Sequence, residues 1–107
     1  MCEPRVSTMI YSIFKNLEVF MDEIHYTKND RNFVVRFEEG EVYIGTCGYV
    51  SNISAQLICH EAMAPLKWKP TGTFMNLEDK DGYICIGVGY KVPRFVNPRK
   101  KIEKLLS

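Results

Sequence analysis

The sequence predicts an α+β fold in two layers, with a four-stranded antiparallel sheet made of two hairpins and packed by helices. Three observations predict it. Apolar residues recur at helical spacing near the start, two later segments alternate around glycine-bearing turns, and helical spacing returns behind Asn97-Pro98. The expected order is αββαββα. At 107 residues the chain is read as one domain, 1–107, with residues 93–107 as a short basic docking helix.

Val6, Met9, Ile10, Ile13, Phe14, Leu17, Phe20, Met21 and Ile24 follow i, i+3, i+4, i+7 spacing. This predicts a core helix over 6–25, with Pro4 suited to its start. Residues 26–32 are polar and read as a loop. Phe33, Val35 and Phe37 then alternate with Val34, Arg36 and Glu38, turn at Glu38-Glu39-Gly40-Glu41, and return through Val42, Ile44 and Thr46. Ser51 or Asn52 can cap a helix over 53–64, which Pro65 ends. That helix is apolar nearly all round, so it is either largely buried or offers an apolar side to a partner.

A connector follows, with Trp68 between Lys67 and Lys69. The second hairpin runs over 73–78 and 83–92, with Asp81-Gly82 in its turn. One side of its return strand carries Ile84, Ile86, Val88 and Tyr90, and the other is slim, with Cys85, Gly87 and Gly89. A bare glycine side implies a close neighbour or a kinked strand. Asn97 caps a last helix over 99–106, with Ile102, Leu105 and Leu106 inward. Gly40, Ile44 and Gly45 recur as Gly82, Ile86 and Gly87 at an offset of 42, a spacing that duplication would explain but that chance among Gly- and Tyr-rich strands explains more readily.

Composition is that of an ordinary globular protein, 46% apolar and 25% charged. No apolar run approaches the roughly 20 residues that cross a bilayer, and the start does not read as a secretory signal. A membrane role is not expected. Four cysteines, Cys2, Cys47, Cys59 and Cys85, sit in apolar company without framework-like spacing. They read as reduced thiols, which places the protein in the cytosol. The net charge of +1 conceals an asymmetry. Residues 1–66 carry five Lys/Arg and nine Asp/Glu, and residues 67–107 carry nine and four.

Catalytic signatures are weak. Cys59-His60-Glu61 is the most enzyme-like string, but adjacent helical residues point about 100° apart and do not serve one another. No spacing typical of a metal site or a phosphate loop occurs. Cys47 and Cys85 occupy corresponding strands and could approach, although a tetrahedral site would need two further ligands. No cofactor and no metal are expected.

The function expected is therefore a non-catalytic protein-binding module of the inhibitor, immunity, adaptor or chaperone type. Its partner is another protein, a homodimer included. Trp68, Tyr49 and Tyr90 are the candidate anchors, with Lys67, Lys69, Arg94, Arg99, Lys100 and Lys101 as the charged contacts. Nucleic-acid binding is the alternative, with Lys67-Trp68-Lys69 for stacking plus charge and Arg94, Arg99, Lys100, Lys101 and Lys104 for phosphate contacts. A thiol-dependent enzyme using Cys59 is the third reading.

Overall fold

A computed structural model describes residues 23–47 and 51–107. The expected helix over 6–25 lies outside them up to residue 22, as does Tyr49. Its last three residues, Glu23, Ile24 and His25, are strand rather than helix. They open β1 (Glu23–Lys28), which pairs antiparallel with β2 (Arg31–Glu38), so the expected loop at 26–32 is a hairpin. Asn29 and Asp30, both at positive φ (53° and 62°), form its two-residue turn. Asn and Asp tolerate that left-handed region best among residues other than glycine.

Among the described residues the sheet therefore has five strands, not four. β2 pairs with β3 (Glu41–Thr46) across Glu39-Gly40, where Gly40 takes φ +76°. β4 (Pro70–Glu78) and β5 (Ile84–Lys91) form the last hairpin, and β5 docks antiparallel on β3. The spatial order is β1-β2-β3-β5-β4. β4 begins three residues before the expected strand, with an irregular register between Pro70 and Phe74.

Two helices of the described residues cover one face. α1 (Asn52–Met63) is capped by Ser51, whose hydroxyl accepts from the Ser54 amide, and a 3-10 turn at Ala64–Leu66 follows. α2 (Pro98–Leu106) is capped by Asn97, which accepts from the Lys100 amide. Between helices and sheet lies the main core, with Val35, Val42, Ile44 and Val88 from the strands, Cys59 and Met63 from α1, and Ile102 and Leu106 from α2. Lys28 Nζ donates to the Leu105 carbonyl at 2.6 Å, placing a cation on the negative end of α2.

The opposite face curls. Gly45, Gly87 and Gly89 leave room there, and Leu77 of β4 fills it: a Cβ on Gly87 would lie 2.6 Å from Leu77 Cδ1. Tyr43 crosses Gly89 in the same way; its hydroxyl donates to Glu41 at 3.1 Å and meets Thr73 Oγ1 at 2.9 Å. A second buried cluster of Val34, Tyr43, Leu77 and Cys85 results, joining β2 to β4 although two strands lie between them in the sheet. The slim side of β5 is thus the inside of a tight roll.

Cys47 and Cys85 form a disulfide, with Cα atoms 5.3 Å apart. This corrects the expectation of reduced cysteines for Cys47 and Cys85 and removes the ground for a cytosolic placement, while Cys59 is the buried free thiol expected and Cys2 lies outside the described residues. The register that sets Glu41 opposite Lys91 and Ile44 opposite Val88 continues to Cys47 opposite Cys85. Adjacent antiparallel strands bring directly opposed side chains within bonding reach. Among the described residues no helix is long and apolar enough to cross a membrane.

Candidate functional site

Two surfaces concentrate chemistry and apolar exposure. The first lies between α1 and β4. Ala55, Cys59 and Met63 are the buried residues of α1, so of the two alternatives its composition allowed the helix is not largely buried but leaves apolar residues exposed. Ile53 and Leu57 stand 74% and 60% exposed. They share the flank of α1 that carries Gln56 and His60, one to two positions round the helix from the buried stripe. Gln56 looks onto a shallow groove floored by Phe74, Met75, Asn76 and Ile86. Phe74, on the outermost strand, is 58% exposed, and Ile84 is 64% exposed. Gln56 of α1 and Phe74 of β4 thus line one groove, with Ile86 of β5 in its floor. Tyr83 is also exposed, and Phe95 is fully so, at φ +64°, with the Arg94 guanidinium 5.9 Å from its ring centre.

The second surface surrounds the disulfide. A cavity of about 440 Å³ opens at the ends of β3 and β5, lined by Thr46, Asn52, Tyr83 and Asp81 as well as the two cysteines and Asp79. A carboxylate oxygen of Asp79 and the two sulfurs lie within 4.8 Å of one another. Asp79 is held by its turn: Oδ1 accepts from the amides of Asp81 (2.9 Å) and Tyr83 (2.8 Å). The Tyr83 carbonyl in turn accepts from the Asp79 amide at 2.8 Å.

The expected anchors are distributed otherwise. Tyr90 is buried in the main core, and its hydroxyl bonds His60 Nδ1. Burial, with Cys59 adding to it, pushes the Tyr90 phenol up to about 12. It is therefore not an exposed anchor, because the helix face of β5 is the face that α1 covers. Trp68 is half-buried against the same core, between exposed Lys67 and Lys69. Arg99 is half-buried with its guanidinium 4.7 Å from the Phe37 ring centre, while Arg94, Lys100 and Lys101 are exposed. Lys67, Lys69, Arg94, Lys100 and Lys101 thus lie on the surface, whereas Trp68 and Tyr90 turn inward.

Cys59 is fully buried, and desolvation pushes its thiol up to about 12, only partly opposed by Arg31. A thiol so placed is protonated at neutral pH, and its neighbour His60 is engaged with Tyr90. The geometry of a nucleophile with its base is not assembled here.

Sequence reasoning missed Ile53, Leu57, Phe74 and Ile84, since exposure of an apolar residue depends on which face a helix turns to the sheet. It also missed Asp79, although Asp79-Lys80-Asp81-Gly82 was legible as a turn. Comparison with known protein families, with curated proteins and with solved structures finds no match to this chain.

Proposed function

We propose that the chain is a non-catalytic protein-binding module that seats an extended, apolar-rich segment of another protein along β4. The observation that carries this reading is the outer edge of β4, which pairs with no further strand among the described residues, together with the exposed Phe74 and Ile84 of this hairpin and the exposed Ile53 and Leu57 of α1. An edge strand offers unpaired backbone amides and carbonyls, here on β4 before Glu78, whose carbonyl accepts from His25, and the groove beneath Gln56 offers a place for alternate apolar side chains. Clustered apolar exposure beyond isolated residues marks interaction surfaces. The buried thiol of Cys59 and the engaged His60 also favour binding over thiol catalysis. Exposed Arg94, Lys100 and Lys101 form a separate basic surface that suits an acidic partner or nucleic acid. A cytosolic setting would hold Cys47 and Cys85 as thiols.

The test is capture from nuclease-treated lysate of the source organism, using wild type beside Leu57→Asp and Phe74→Asp. Support is a stoichiometric protein held by wild type and lost from both variants, with their urea midpoints unchanged. A protein retained by both, but lost when Arg94, Lys100 and Lys101 are neutralised, moves the contact to the basic segment. Loss of all binding on nuclease treatment puts nucleic acid in the partner's place.

A further inference from the structure

We propose that Cys47, Cys85 and Asp79 form a redox-gated binding site for a thiophilic divalent metal ion of the zinc class. Three donor atoms from three places in the chain converge within 4.8 Å: β3's end, the start of β5, and the turn after β4. Two sulfurs with one carboxylate oxygen match the donor preference of zinc, and thiolates argue against calcium or magnesium. Directly opposed strand positions suit both states of the pair. With Cα atoms 5.3 Å apart the sulfurs can bond each other, or separate to the about 3.7 Å that tetrahedral ligation by two thiolates needs.

Asp79 is prepared for the third position. Its Oδ1 is occupied by the amides of Asp81 and Tyr83, which fixes the plane of the carboxylate. Its Oδ2 has no hydrogen-bond partner among the described residues. A ligand whose orientation is set by neighbouring amides loses little freedom on binding. The cavity alongside gives an ion its entry path and leaves a fourth position to water.

The gate is the disulfide. A dithiol reductant supplies two electrons and two protons, the S–S bond breaks, Cys47 and Cys85 become thiols, and the reductant leaves as its own disulfide. The metal ion then forms two S–metal bonds and one O–metal bond, and both thiol protons go to solvent. Oxidised protein has no thiolate to offer and binds nothing there.

The experiment uses the full chain, reduced by a water-soluble phosphine and titrated with Co²⁺ as a spectroscopic stand-in for Zn²⁺. Expected is one equivalent bound with sulfur-to-cobalt charge-transfer absorption, bleached by added Zn²⁺ and missing from oxidised protein. Asp79→Asn, which keeps the turn's acceptor oxygen, should bind at least about tenfold more weakly, since loss of even an outer partner costs that much. Cys2→Ser and Cys59→Ser should bind as wild type. If Asp79→Asn fails to fold, Cys47→Ser replaces it, and the charge-transfer intensity per cobalt must fall to half or vanish. No such absorption in reduced wild type overturns the proposal. So does its loss in Cys2→Ser or Cys59→Ser, or wild-type affinity in Asp79→Asn.

Discussion

His25 Nε2 donates to the backbone carbonyl of Glu78 at 3.1 Å, although the two residues lie on the two outermost strands of the five-stranded sheet. In a flat sheet, strands four positions apart would stand about 19 Å from each other. The roll that brings them together is made on the glycine side. Gly45, Gly87 and Gly89 remove the side chains that would hold β3 and β5 open, and Val34, Tyr43 and Leu77 close over the gap.

His25→Ala should therefore loosen the roll's seam more than its core. The bond is solvent-exposed, so its loss should cost about 0.5 kcal/mol, the low end for a net hydrogen bond. Amide exchange in β1 should speed up while exchange in β3 and β5 stays as in wild type. Unchanged β1 exchange would mean that the seam is held by Val34 and Leu77 alone.

Gly87→Ala should destabilise by about 1–3 kcal/mol, the cost of overfilling a packed interior. The added Cβ would meet Leu77 Cγ at 3.0 Å and the Met75 carbonyl at 3.1 Å, and Leu77 is 1% exposed with nowhere to swing. In a Leu77→Ala background much of that cost should vanish, because the close neighbour has gone. Urea unfolding of the four proteins of this cycle measures the coupling, and additivity would dissociate the glycine from the leucine.

The two hairpins, their turns and both described helices with their caps were legible because each depends on near neighbours: period-two alternation, Gly40 and Gly82, Ser51 and Asn97. β1 was not. Ile24 fits the helical stripe that precedes it and also alternates with His25 and Tyr26, so one residue served two periods, and the helical one ran on too far. Asn29-Asp30 was the available signal, a two-residue turn able to take positive φ at both positions. That Cys47 and Cys85 could approach was legible from their corresponding strands, but their bond and the place of Asp79 depend on the β3–β5 pairing, a contact 38 residues apart that no local pattern encodes. The basic segment was visible as charge, but the inward turn of Trp68 and Tyr90 depends on where α1 and α2 lie.

Stability should fall as pH rises above about 9. Cys59 moves from 9.0 to about 12 on folding and Tyr90 from 10.0 to about 12, both through burial that disfavours the charged form. Between those values the unfolded chain has released protons that the folded chain keeps. The folded state then binds more protons, and the slope of unfolding free energy with pH is negative. Stability from these groups is complete below pH 9 and lost by about pH 12. Cys59→Ala with Tyr90→Phe should flatten the urea midpoint between pH 9 and 11, and an equally steep decline would assign the slope to other groups.

Reduction of Cys47–Cys85 should lower stability and leave a state that zinc can partly restore. The bond closes a loop of sequence separation 38, and the chain-entropy relation puts its effect at about 4 kcal/mol, with 2–4 kcal/mol the usual yield. The β3–β5 ladder and the Leu77 cluster survive the bond's opening, so a two-state transition at lower urea is expected rather than collapse. Metal held only by the folded chain then raises the midpoint in proportion to the logarithm of its free concentration. Reduced wild type should show that rise, and reduced Asp79→Asn should show less of it. Oxidised protein should show none, because its sulfurs are already spent on each other. Equal rises in all three would place the ion on unrelated carboxylates and separate the bond's structural effect from any metal chemistry.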